Sequence, residues 1–187
     1  MEVDGAELAR LRAGEVLIEE KRLDESGGYV RVQVLIEASA ETVWGVISSC
    51  AHAHRYLNGL KQCEVLVDEP GRAVTHHVID PGWLTPTMDY RFETRRTPYR
   101  RMDFNLIEGN LKEMEGYWRL VPGDSGVVVE HEVRIKPRAP APMWLIRRKL
   151  RNDLPDMMAC IRNLSDGSLT SELARSDQAA CGGRAAD

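Results

Sequence analysis

His131 is the only ionisable residue on one face of its stretch of chain. From Val127 to Ile135, the residues Val127, Val129, His131, Val133 and Ile135 alternate with Glu130, Glu132 and Arg134. This is the pattern of a strand with one apolar side. A histidine among valines is either a core residue satisfied by one hydrogen bond or a polar anchor for a ligand carbonyl or hydroxyl. As a general acid or base it requires a partner, and the sequence places none. Tyr90 offers a hydroxyl on the apolar side of another strand, either as a second anchor or as a packed ring with its tip satisfied. No nucleophile–base constellation, phosphate loop or metal signature accompanies them, which favours binding over catalysis.

The remaining reactive side chains carry weaker signals. His52 and His54 flank Ala53 on a short helix, and His76 and His77 are adjacent on a strand, where neighbours face opposite sides. Neither spacing is a metal motif, so no metal and no cofactor is expected. Cys50, Cys63, Cys160 and Cys181 show no paired spacing and read as unbridged thiols.

Strands and one long helix must position these groups. A short helix is expected over Gly5 to Arg12. Strands are expected over Glu15 to Leu23 and Tyr29 to Glu37, joined by Asp24-Glu25-Ser26-Gly27-Gly28. In the second of these, Val30, Val32, Val34 and Ile36 share the buried face, Arg31, Gln33 and Glu37 the wet one, and Leu35 breaks the rule. Ser39 can cap a helix through Ile47, and a second short helix covers Ala51 to Leu57. Six strands follow, over Cys63 to Asp68, Ala73 to Asp80, Thr87 to Thr94, Arg101 to Leu106, Glu113 to Val121 and Val127 to Ile135. Short turns between alternating strands imply an antiparallel sheet. After Pro137, Pro140 and Pro142 the period changes. Leu150, Leu154, Met157, Ile161 and Leu164, spaced four and three apart, form one face of a long helix that lies on the sheet.

Composition sets broad limits. The 187 residues carry a net charge of −4 and are 43% hydrophobic, which fits one globular domain and argues against a general nucleic-acid binder. No apolar run approaches the roughly 20 residues of a membrane span. The acidic start Met1-Glu2-Val3-Asp4 does not read as a signal peptide, so a cytoplasmic location is expected.

Three segments in this order resemble a known superfamily: Gly14-Glu15-Val16, Glu37-Ala38-Ser39-Ala40-Glu41-Thr42-Val43-Trp44, and Gly116-Tyr117-Trp118-Arg119-Leu120-Val121-Pro122. They are similar to START-like (SRPBCC) proteins, in particular the polyketide cyclase/dehydrase and coenzyme Q-binding branch. Ser39 stands where relatives often carry proline. The resemblance implies an α+β helix-grip fold: a curved antiparallel sheet wrapped around a long C-terminal helix, with a pair of short helices after an early strand. It covers the domain over 14–164 and leaves an N-terminal extension over 1–13, while the small, polar composition of 165–187 reads as a disordered tail. It also implies an apolar cavity between sheet and helix, for lipids, quinones, sterols or polyketides. A minority of members catalyse cyclisation or dehydration.

On this basis His131, Tyr90, Met88, Phe92, Met102, Phe104, Met114, Trp118, Leu150, Leu154 and Met157 are expected around the cavity, with Gly116 leaving room for a flat ligand. Trp83 and Leu84, in Asp80-Pro81-Gly82-Trp83-Leu84-Thr85-Pro86, form a gate with Leu111 and Trp144. The first expectation is a binding or transfer protein for a hydrophobic small molecule. The alternatives are a cyclase/aromatase-type enzyme using the same cavity, and a module that contacts ribosomes or proteins through its surface. The basic turn Arg95-Arg96-Thr97-Pro98-Tyr99-Arg100-Arg101 is a solvated hairpin or a polyanion contact. The helix start, Met143-Trp144-Leu145-Ile146 before Arg147, Arg148, Lys149 and Arg151, has the composition of a peripheral contact with anionic membrane.

Overall fold

The computed structural model describes residues 4–24, 27–80, 82, 86–138 and 143–167. The elements run α1 (Gly5–Arg12), β1 (Leu17–Asp24), β2 (Gly27–Ile36), α2 (Ala40–Ile47), α3 (Cys50–Tyr56), β3 (Leu60–Glu69), β4 (Arg72–Ile79), β5 (Met88–Thr97), β6 (Arg101–Gly109), β7 (Leu111–Gly123), β8 (Gly126–Pro137) and α4 (Met143–Ser165). The strands make one antiparallel sheet in the order β1-β2-β8-β7-β6-β5-β4-β3. Irregular register at Leu60/Gln62, Val65/Val67, Arg91/Phe92 and Leu111/Glu113 marks bulges, which bend and twist strands. The short helix pair follows the early strands β1 and β2, as expected.

Leu154, Met157, Met158, Cys160 and Ile161 of α4 are buried against the sheet, as the heptad-like spacing requires. They join Val30, Val32, Val34 and Ile36 of β2 and Val43, Val46 and Ile47 of α2 in the main core. Ser39 caps α2 by accepting the Thr42 N–H at 3.1 Å, so serine supplies a start signal without proline. No helix among the described residues is long and apolar enough to cross a membrane.

The outer face of the sheet departs from the alternation rule. Asp4 and Glu7 form a capping box for α1, and Leu11 of this helix packs with Leu17 and Val128 beside Leu8, Leu35 and Val121. A second small core therefore covers that face, which accounts for Leu35. Glu130, expected in solvent, is only 3% exposed. Its carboxylate accepts from Gln33 Nε2 at 2.7 Å, Tyr117 Oη at 2.6 Å and Arg119 at 3.0 Å. Burial alone would raise its pKa, yet these bonds hold it below the ordinary carboxylate value.

Asn110 ties three connections together at one end of the sheet. Its side-chain oxygen accepts from Asp89 N at 2.9 Å, and its amide donates to the Thr87 carbonyl at 2.7 Å. Its own carbonyl accepts from Arg138 N at 3.2 Å. Gly109, just before it, has φ 134°, and a Cβ there would overlap the Asp89 carbonyl and Tyr90.

Three cysteines correct the sequence reading: Cys160 is disulfide-bonded, and a separate bridge joins two others. Cys50, at the start of α3, is bridged to Cys63 of β3, with Cα atoms 5.4 Å apart. Their separation of 13 residues conceals the pairing, which arises only because α3 folds back over the edge strand.

Candidate functional site

A cavity of about 650 Å³ lies between the concave sheet and α4. That is within the range of small-molecule sites, roughly 300–1,000 Å³. Met88, Tyr90, Phe92, Met102, Phe104, Met114, Trp118 and His131 line it from strands β5 to β8, and Leu150, Leu154 and Met157 from α4. Alternation along each strand puts these side chains on one face, and the helical stripe of α4 faces them. Methionines and aromatic rings give the wall adaptable apolar surface.

His131 is 6% exposed. Its ring stacks on Trp118 and lies 5.8 Å from Phe104, centroid to centroid. Nδ1 is 3.1 Å from the Tyr117 carbonyl oxygen. Burial lowers its pKa to about 4, against a smaller upward pull from that bond, so the ring is neutral near pH 7.

His77 is a cavity residue that the sequence reading missed. It lines the wall beside Thr75 and Ile79, and is 8% exposed. Its Nε2 lies 3.2 Å from Cys63 Sγ, and its Nδ1 lies 3.4 Å from Tyr90 Oη. Burial first, and then the nearby His54 and His76, lower its pKa to about 4. Burial also raises that of Tyr90, so the phenol keeps its proton. The alternation through β4 already put His77 with Ala73, Thr75 and Ile79, but its neighbour His76 drew attention to metal chemistry instead. The two point to opposite faces: His76 pairs with Asp89 at 2.8 Å, away from the cavity. Among the described residues no three His, Cys, Asp or Glu side chains form a metal-binding group.

Gly116 does not open space for a ligand. A Cβ there would sit 2.5 Å from Phe104 Cζ and would overlap the Glu132 carbonyl. The missing side chain is what lets the Phe104 ring lie over the strand.

At the mouth, Trp83 and Leu84 lie outside the described residues, while Asp80, Gly82 and Pro86 reach the cavity lining. Leu111, expected in the gate, is 1% exposed and belongs to the core, because β7 begins at this residue and turns it inward. Trp144 is 59% exposed and does not line the cavity; Ile146, two residues on and so on the opposite side of the helix, does.

The basic turn is largely neutralised at home. Arg95 pairs with Glu93, Arg96 with Asp68 and Arg101 with Asp103. Tyr99, at φ 62°, sets its ring edge-on to Trp44 of α2 at 6.1 Å.

Residues 36–162 match the family described as polyketide cyclase / dehydrase and lipid transport. The chain belongs to this family. No curated protein sequence matches it. Among solved structures, it resembles a STAR-related lipid transfer protein from Xanthomonas axonopodis at 14% identity and TM-score 0.64, covering 78% of this chain and 97% of that one. A START superfamily protein from Mycobacterium smegmatis gives 18% identity and TM-score 0.60, over 76% of this chain and 99% of the other. Zhui aromatase/cyclase from Streptomyces sp. R1128 gives 19% and 0.58, over 83% and 98%. These likenesses establish a START-like helix-grip fold, and family members bind hydrophobic ligands or serve polyketide cyclisation.

Proposed function

We propose that this chain binds a hydrophobic small molecule such as a lipid, quinone, sterol or polyketide-like compound, and carries it. One observation carries the reading: about 650 Å³ of space whose lining includes four methionines and the rings of Tyr90, Phe92, Phe104 and Trp118. His131, Tyr90 and the apolar residues around them are the ligand contacts. A cyclase role would need His131 or His77 as a proton acceptor. Both have pKa values lowered to about 4 by burial, well below the optimum for a base near pH 7. That disfavours proton abstraction and supports binding. The paired arginines of the basic turn likewise give little support to a surface that works by contacting polyanions.

Delivery at a membrane extends this reading. Trp144 and Arg148 are exposed and four residues apart, hence on one side of α4. Lys149 and Arg151 are instead engaged by Asp153 and Glu20. A tryptophan at that position suits the headgroup region, with cationic support beside it.

Native mass spectrometry of the purified protein, followed by solvent extraction, tests the principal reading. A copurifying apolar molecule, or uptake of one from an added lipid mixture, is the expected result. A protein that takes up none from quinone, sterol and phospholipid mixtures would contradict it.

A further inference from the structure

We propose that the cavity recognises apolar molecules bearing neutral hydrogen-bond donors, above all hydroxyl groups, through two buried rings in its wall that present acceptors. This rests on the proposal that the cavity holds an apolar small molecule, and names the chemistry of that molecule's polar group.

The first position is His131. The Tyr117 carbonyl oxygen, 3.1 Å from Nδ1, can only accept, so the ring hydrogen must sit on Nδ1. In the neutral ring, Nε2 is then a bare lone pair. Among the described residues Nε2 has no hydrogen-bond partner, although the ring lines the cavity. A ketone, an ether or a carboxylate brings only further lone pairs to it. A hydroxyl brings the missing hydrogen. The Trp118 stack and the Phe104 contact hold the ring from turning away.

The second position is Tyr90, and its polarity follows from the disulfide. Cys63 Sγ is bridged to Cys50 and bears no hydrogen, so at 3.2 Å it can only accept from His77 Nε2. With its hydrogen on Nε2, His77 must accept at Nδ1. Tyr90 Oη, 3.4 Å away, is therefore the donor in that pair. Once its hydrogen is committed, Tyr90 offers the cavity lone pairs alone. Sulfur, imidazole and phenol thus form a relay whose free end is an acceptor.

These positions are well separated. Tyr90 is near the start of β5 and His131 is midway along β8, three strands across, with Met102 and Phe104 of β6 between them. Apolar side chains between two acceptors fit phenols, hydroquinones or sterol-like alcohols. Neither ring offers a hydrogen to a carboxylate or to the carbonyls of an oxidised quinone.

The test uses the oxidised, full-length protein and three probes: naphthalene, naphthol and the methyl ether of naphthol. Calorimetric titration near neutral pH should show naphthol bound about fivefold more tightly than its methyl ether, the effect of one hydrogen bond. His131→Leu should reduce the preference for naphthol over its methyl ether. Nitrogen-15 NMR of the unaltered protein gives a readout independent of any variant. It should report protonated Nδ1 and unprotonated Nε2 for His131, with the Nε2 resonance moving when naphthol is added. If naphthalene and the ether bind and naphthol binds no better, the donor rule is wrong while the cavity reading stands. A protonated Nε2 in neutral His131 would also overturn it. If none of the probes binds, both readings fall.

Discussion

The imidazole of His131 lies 3.9 Å from the indole of Trp118, centroid to centroid, with the two planes 20° from parallel. The residues are direct partners across β7 and β8, so the backbone ladder itself brings the rings together. Around His131 stand Trp118, Phe104 and the Tyr117 carbonyl, and the cavity faces its remaining edge. Around His77 stand Tyr90, Phe92 and Cys63. Neither is hydrogen-bonded to a carboxylate, and charging either ring would place a cation in apolar surroundings.

Stability should therefore fall in mild acid. Both histidines titrate near 4 in the folded protein, below their ordinary 6.5, so the unfolded chain binds their protons first as pH drops. Their contribution is complete above about pH 6.5 and is lost progressively toward pH 4, on the order of 3 kcal/mol for each as an upper figure. Denaturant midpoints measured across this window should decline, and His131→Gln should flatten the decline. A level profile from neutrality to pH 4 would refute it.

Gly116→Ala should destabilise the protein by about 1–3 kcal/mol, the usual cost of overpacking. Phe104 can swing away, but the Glu132 carbonyl belongs to a paired strand and cannot. Chemical denaturation of the variant checks this, and unchanged stability would show that the strand pair yields more easily than its register implies. The displaced Phe104 ring should also diminish probe uptake.

Breaking the Cys50–Cys63 bridge should lower stability by about 3 kcal/mol, the effect of releasing a loop of roughly 15 residues. Replacing both cysteines with serine and comparing unfolding with and without reductant measures it. Mass spectrometry of alkylated protein taken directly from cells would report whether the bridge forms there. It suits an oxidising setting better than the cytoplasm expected from the sequence. Full alkylation of both thiols in freshly lysed cells would restore the original expectation.

Liposome flotation tests the proposed docking surface. Binding should rise with anionic lipid and fall with salt. It should weaken severalfold in a variant carrying Trp144→Ala and Arg148→Glu, in line with about 1 kcal/mol for each charge near the surface. Absence of flotation at low salt would remove membrane docking and leave the cavity unaffected.

Much of this was legible in the sequence where a period carried it. The alternation through Met88, Tyr90 and Phe92 and the four-three spacing from Leu150 to Leu164 identified surfaces that do face one another across the cavity. What remained hidden depended on neighbours distant in sequence. Glu130 reads as exposed until Gln33, Tyr117 and Arg119 converge on it. Gly116 reads as spare room until Phe104 occupies it. Cys50 and Cys63 read as unrelated until α3 folds over β3. Periodicity reports which way a side chain points, whereas these three depend on what meets it there.

Strand order has a consequence for how the protein comes into being. Every strand pairs with its neighbour in sequence, apart from β2 with β8, where Val32 opposes His131. Hairpins close over short loops and form quickly, whereas joining segments about a hundred residues apart carries a larger loop-closure cost and comes late. His131 sits in that last-made ladder, so its surroundings are completed only when the early and late parts of the chain have met. The cavity wall around His131 is thus complete only once this late pairing is made.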